Sequence, residues 1–266
     1  FNMQELKFLT RHRNRLTDSR SKLKTQYIRL LDILFPELAG FIGKTNLHYQ
    51  YVYDLLTKYP SPAKLSRAHT NALVKLLHNH GNRLDMAQQL KVLAKQSIGL
   101  SSPANALELV QTISVIRLYD EQINAIDQEI AQIMNSLDEA AIVTSITGIS
   151  NRLGSVILAE INHINNFQSP DQLLAFAGLE PSVYQSGQMN ATGKIVKRGS
   201  TSLRWALCQA AEYASHWSPT LRQYRQKKLG EGKHYYVVMT HVAKKLVRII
   251  YYLLKHHQYY DESKLI

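Results

Sequence analysis

The sequence predicts a mainly α-helical protein, and three observations carry that reading. There are only seven prolines and twelve glycines in 266 residues, apolar residues recur with the helical period through most of the chain, and strand signals are sparse. The 45% hydrophobic content supplies ordinary cores, and the length suits two small domains. The expected organisation is a long-helix, coiled-coil region over residues 1–138 and a helical domain over 139–258, closed by a tail over 259–266. The second domain is expected to hold a helix-hairpin-helix-like element and a polar loop or short hairpin that carries a serine.

The elements follow in order. Glu5 to Leu34 reads as a long helix, with Leu9, Leu16, Leu23 and Leu30 seven residues apart and Phe35-Pro36 ending it. Its other face carries Arg11, Arg13, Arg15, Arg20, Lys22 and Lys24. That run fits a solvated face, and it equally fits a track for a phosphate backbone, with Arg11 and Arg15 as candidate contacts. Shorter helices are expected at Leu47–Thr57, Pro62–Asn79 and Asn82–Ala94, separated by Tyr59-Pro-Ser-Pro62 and His80-Gly81. A second long helix is expected from Pro103 to about Leu137. Leu109, Ile116, Ile123, Ile130 and Leu137 fill one heptad row, and Tyr119, Ile126 and Ile133 the other, broken only by Thr112. So regular a seam predicts pairing with another helix. The favoured partner is the Leu9–Leu30 helix of the same chain, with oligomerisation through the same element as the other option.

The heptad register stops near Asp138. The segment Val143 to Leu158 then resembles a helix-hairpin-helix, with a Gly148-Ile149-Ser150 turn and the small Gly154 facing it. In that motif the turn amides and the next helix N-terminus hold DNA phosphate without reading bases. A phosphate grip at Gly148 and Ser150 and a simple helical hairpin both fit this sequence. Ser169 and Pro170 start another helix, and Gly178 and Pro181 end it. A polar stretch from Val183 to Val196 follows, where a reactive residue can be presented to substrate. Ser186, before Gly187, is the candidate nucleophile. A serine hydroxyl needs a base or a metal, and His216, His234 and His241 are only distant candidates for the base. Lys194, Lys197, Arg198 and Arg204 are placed to stabilise a pentavalent phosphate. The helix opened by Gly199–Thr201 carries a small-residue stripe of Leu203, Ala206, Leu207, Ala210, Ala211 and Ala214 for close packing. A last helix over Tyr236–Lys255 buries Val238, Val242, Leu246, Ile249, Ile250 and Leu253 and displays Lys244, Lys245 and Arg248 as a second phosphate-binding stripe.

Charge narrows the partners. Thirty-two Lys and Arg against twenty Asp and Glu give a net charge of +12, so the summed field attracts polyanions and predicts salt-sensitive binding to nucleic acid. The single Cys208 excludes a disulfide framework and a cysteine metal cluster, and its apolar neighbours predict a buried thiol in a reducing cytoplasm. The apolar run near Leu246–Leu254 is too short to span a bilayer, so no membrane partner is expected. No secretory signal is visible. The chain opens on Phe1, already inside a helical pattern, and further sequence upstream is expected.

Taken in order, Ile146-Thr-Gly-Ile149, Ala159-Glu-Ile161, Phe167-Gln-Ser169, Ala175-Phe-Ala-Gly-Leu-Glu-Pro181, Ser186-Gly187, Gly193-Lys-Ile-Val-Lys-Arg-Gly199, Leu203-Arg204 and Ala243-Lys-Lys-Leu246 closely resemble the C-terminal domain of the bridge-RNA-guided insertion-sequence transposases. Pilin-gene inverting recombinases share that domain. The resemblance covers about residues 140–255, and Leu6–Leu137 resembles the coiled-coil region before it.

The resemblance implies a cut-and-join enzyme of the bacterial cytoplasm. Ser186 would attack DNA and hold a 5′-phosphoserine link, while a structured noncoding guide RNA pairs with element ends and target. A dimer or tetramer is implied. Family members also carry an N-terminal RuvC-like domain whose acidic tetrad binds magnesium. No stretch before Phe35 supplies such a domain, so no cofactor is expected in this chain and Mg2+ belongs to the acidic domain. This chain alone is therefore expected to bind nucleic acid and to cleave poorly or not at all. The alternative is a catalytically inactive, nucleic-acid-binding remnant of such a transposase.

Overall fold

The computed structural model describes residues 2–77, 82–186, 189–195 and 198–265, with backbone alone over 181–186, 189–195 and at 265. Among the described residues the chain is mainly helical, as expected. In order the helices are α1 (Asn2–Leu34), α2 (Leu38–Ile42), α3 (Gln50–Lys58), α4 (Pro62–Ser66), α5 (Thr70–Leu76), α6 (Arg83–Lys95), α7 (Pro103–Asn135), α8 (Asp138–Thr144), α9 (Asn151–Ile161), α10 (Pro170–Ala177), α11 (Thr201–Trp217), α12 (Pro219–Gly230) and α13 (Tyr235–His256). Between α10 and α11 lies an antiparallel hairpin of β1 (Pro181–Ser186) and β2 (Met189–Ile195).

The chain forms two compact units, one of residues 14–125 and one of residues 1–13 with 126–266. In the first, Tyr27, Leu30, Leu34, Tyr53, Leu55, Leu109, Ile113 and Ile116 share one core. The Tyr27 hydroxyl is buried and donates to the Leu47 carbonyl at 2.7 Å. Within this unit α1 and α7 run antiparallel: Arg20 pairs with Asp120, and Gln26 donates to Glu108 at 2.6 Å. The helix expected over Pro62–Asn79 is two helices within its described part, because His69 adopts an extended conformation (φ −66°, ψ 131°) that restarts the chain as α5.

The second unit is built round α11. Leu203, Ala206, Leu207, Ala210, Ala211 and Ala214 are all at most 1% exposed, so the small-residue stripe lets α9, α12 and α13 approach closely. Met3 and Leu6 of α1 and Ile130 and Met134 of α7 join this core, and Arg13 pairs with Asp127 beside them. Four serines cap its helices: Ser150 for α9, Ser169 for α10, Ser200 for α11 and Ser218 for α12. Cys208 is half-buried, and burial raises its thiol.

Candidate nucleic-acid interface

The β-hairpin is held at its root by backbone contacts that need glycine. Gly178 ends α10 in the left-handed region (φ 66°), and a Cβ there would lie 2.2 Å from the Arg198 carbonyl. Gly199 (φ 105°) faces the Phe176 carbonyl in the same way, and the Ser200 amide donates to that carbonyl at 2.8 Å. The segments entering and leaving the hairpin are therefore tied to one helix end. Pro181 pairs with Ile195 at the root and Ser186 with Met189 at the tip, so the candidate nucleophile occupies the last position of β1.

Beneath this root lies a carboxylate that the sequence reading did not single out. Glu160 is 2% exposed and accepts two hydrogen bonds from Arg11, at 2.7 and 3.0 Å, and one from Ser200 at 2.8 Å, with the Lys7 ammonium 3.5 Å away. Burial alone would raise the carboxyl, but Arg11 and Ser200 outweigh burial and hold it below the ordinary range. Ser200 thus serves twice, donating to Glu160 and accepting from the Leu203 amide as the α11 cap. A signal was present in the sequence: Glu160 is the lone charge in an otherwise apolar run from Val156 to Ile161.

The turn between α8 and α9 packs on α11. Gly148 (φ 93°) lies so close that a Cβ would meet the Ala214 amide nitrogen at 2.5 Å, and Gly154 faces the Thr144 side chain at the end of α8. Between turn and helix lies a cleft of about 530 Å³, lined by Thr147, Gly148, Arg152, Trp205, Gln209, Tyr213 and Trp217, among others. The Arg152 guanidinium stands 5.8 Å from the Trp205 ring centre.

A second cleft of about 530 Å³ is basic. Lys244, Lys245, Arg248 and His241 of α13 line it, with Tyr224 of α12 and the stretch Gln258–Asp261 and Lys264. Burial first, and then Arg248, push the Lys244 ammonium below its usual range, against the opposing pull of Glu180 at the hairpin root. His241 is lowered by burial, then by Lys244, Lys233 and Lys228, with Glu231 opposing. Lys245 lies 4.9 Å from the Tyr224 ring centre. This arrangement concentrates cations, and an anion entering it relieves their repulsion.

Residues 140–226 match the Transposase IS116/IS110/IS902 family. The hairpin, Glu160 and the whole aromatic cleft fall inside that segment. The chain is also similar to a 44.8 kDa protein of insertion element IS116 from Streptomyces clavuligerus, at 26% identity over 90% of this chain and 62% of the relative. A 43.6 kDa protein of insertion element IS110 from Streptomyces coelicolor is 24% identical over 87% of this chain and 58% of its own length. The transposase for insertion sequence element IS1111A of Coxiella burnetii is 29% identical over 64% of this chain and 48% of its own length. The chain thus spans about three-fifths of the length of the first two.

The expected site residues of the transposase-matching segment and its flanks fall into distinct settings. Lys244, Lys245 and Arg248 come together in the basic cleft, although Arg248 also pairs with Asp171 at 3.4 Å. Arg204 reaches the Ala177 carbonyl at 3.4 Å and so closes the end of α10. Gly148 and Ser150 hold the turn and the α9 cap. Arg11 is the partner of Glu160, while Arg15 is exposed on α1. Arg198 is exposed and presents its carbonyl to Gly178. The side chains of Ser186 and Lys194 and the whole of Lys197 lie outside the described residues. Of the distant histidines, His216 sits 2.8 Å from the Glu212 carbonyl, His234 caps α13 and His241 lines the basic cleft.

No helix among the described residues is long and apolar enough to cross a membrane. Nor do three His, Cys, Asp or Glu side chains gather among them in a way that would hold a metal ion. The magnesium implied by the resemblance therefore has no set of ligands among these residues.

Proposed function

We propose that this chain works within a DNA transposase of an insertion element, gripping DNA and a guide RNA through its basic surfaces and presenting Ser186 as the nucleophile. The observation that carries the reading is the coincidence of two features. The segment matching the transposase family contains the hairpin whose first strand ends at Ser186, and Lys244 of the basic cleft feels the charge of Glu180, the residue before that strand. Cations at that place suit the phosphates flanking a scissile bond, because their charge acts most strongly where negative charge accumulates.

In the proposed step the Ser186 hydroxyl loses its proton to a base and attacks a DNA phosphorus. An O–P bond to serine forms, the P–O3′ bond breaks, and the released 3′-hydroxyl takes up a proton and is kept for rejoining. The chain holds the phosphates and the hairpin. An acidic partner domain, binding Mg2+, is proposed to supply the remaining chemistry, and the working assembly is proposed to be a dimer or tetramer.

The test incubates the chain with element-end DNA, flanking RNA and magnesium, with and without a supplied acidic domain, and looks for a denaturation-resistant protein–DNA adduct. An adduct that needs the added domain and disappears in Ser186→Ala is expected. An adduct that survives Ser186→Ala removes the serine from the mechanism. Salt-sensitive binding with no adduct in either mixture makes the chain a non-catalytic nucleic-acid-binding protein.

A further inference from the structure

The cleft between the α8–α9 turn and α11 has no part in the step above, and its composition is unusual for a surface. Trp205, Tyr213 and Trp217 are 38, 50 and 70% exposed, although large aromatic rings ordinarily go to cores or interfaces. They share one row of α11 with Gln209 at four-residue spacing, so successive rows stand about 6 Å apart. The opposite face of the same helix makes its core contacts through the alanine stripe, so the rings are not needed for packing there. Thr147 and Gln209 place hydrogen-bonding groups along the edges.

Charge decides the kind of occupant. Arg152 is the one charged side chain lining the cleft among the described residues, and no carboxylate lines it. Arg152 also stands over Trp205, so a cation able to meet a phosphate adjoins a row of rings able to stack on bases. The whole chain adds a net charge of +12. Bases inside a duplex have both faces covered by their neighbours, so rings can stack only on a base that has left its stack.

We infer that this cleft binds single-stranded DNA, stacking unpaired bases on Trp205, Tyr213 and Trp217 with the backbone drawn toward Arg152. The inference rests on the transposase reading for its choice of DNA, and it adds a separate place for the opened strand. The rings are indifferent to base identity, so the site takes unpaired DNA with little sequence preference.

The chain contains two tryptophans, both in this cleft, so intrinsic emission reports its occupancy directly. The experiment titrates the full chain with fluorescein-labelled oligothymidylate, with the RNA of the same base sequence length, oligouridylate, and with a blunt duplex. Label anisotropy reads binding anywhere on the protein, and tryptophan emission reads the cleft. Oligothymidylate is expected to quench the emission saturably, while the duplex raises anisotropy without quenching. Trp217→Ala is expected to weaken oligothymidylate binding about tenfold, with duplex binding unchanged, and Trp217→Phe to restore most of it.

Equal quenching by the duplex overturns the inference, as does unchanged oligothymidylate affinity in Trp217→Ala. Tighter quenching by oligouridylate than by oligothymidylate reassigns the cleft to RNA. Emission that shifts with protein concentration in the absence of nucleic acid reassigns it to a second copy of the chain. Anisotropy rising with both DNA probes while emission stays fixed sinks this inference and leaves the transposase reading intact. No anisotropy change with any DNA sinks that reading itself.

Discussion

Glu160 shows how one side chain fixes several elements. Its carboxylate joins the start of α1, through Arg11 and Lys7, to the cap of α11, through Ser200. Glu160→Gln keeps the shape and removes the charge. The Arg11 side chain is 45% exposed and recovers water, so the loss is expected below that of a fully buried pair, on the order of 2 kcal/mol, read by urea denaturation at neutral pH. The sign with pH follows from the lowered carboxyl. Its stabilisation is complete above the ordinary glutamate range and is lost as pH falls through the folded-state value, so the variant's stability should vary less across that acid range. Gly148 makes a complementary case. A methyl group there meets the α11 backbone at 2.5 Å, in a conformation that already disfavours alanine. Gly148→Ala is expected to cost about 3 kcal/mol, seen as a lowered melting temperature.

At the scale of elements, the strap of residues 258–264 that follows α13 is secured by Glu262. Its carboxylate accepts from the Ser218 hydroxyl at 2.6 Å, the Thr220 amide at 2.9 Å and the Tyr260 hydroxyl at 2.7 Å. Burial opposes ionisation, yet these donors hold the group down at about 2 against an ordinary 4.5. The strap's stabilisation is therefore present above pH 4.5 and fades toward pH 2. Glu262→Gln is expected to speed hydrogen exchange at the Tyr260 amide at neutral pH, since the strap forms a wall of the basic cleft. Elements also show what the sequence could and could not disclose. α1, α7, α11 and α13 were readable because their apolar residues repeat with the helical period over many turns. α12 was not anticipated, because Leu221 is its one fully buried hydrophobic residue and the rest of its sequence looks like a polar linker. The aromatic cleft was hidden for another reason: Trp205, Tyr213 and Trp217 look like core residues in a linear sequence, and only the packing of the alanine face shows them to be outside.

For the whole molecule, the sequence placed the positive charge in stripes, and folding redistributed it. Arg11, Arg13 and Arg20 belong to ion pairs with Glu160, Asp127 and Asp120. Lys244 and Lys245 gather in the cleft of α13. The two lysines are neighbours in sequence; what the packing of α12, α13 and the strap adds is the walls of the cleft, which no local pattern encodes. DNA affinity is expected to fall linearly with salt on logarithmic axes. Lys244→Ala and Lys245→Ala should each reduce the slope by about one if each lysine meets one phosphate, measured by anisotropy titrations at several salt concentrations.

The way α11 is seated has a mechanical consequence. At its N-terminus Gly199 and Ser200 bind it to the end of α10 and the hairpin root, and near its C-terminus Ala214 carries the α8–α9 turn on Gly148. The seventeen residues between Thr201 and Trp217 form a rod about 25 Å long. Such a rod is a stiff link held at both ends, with the hairpin root at one and the α8–α9 turn at the other. The hairpin that carries Ser186 and the cleft where the tryptophans stand therefore share one supporting helix.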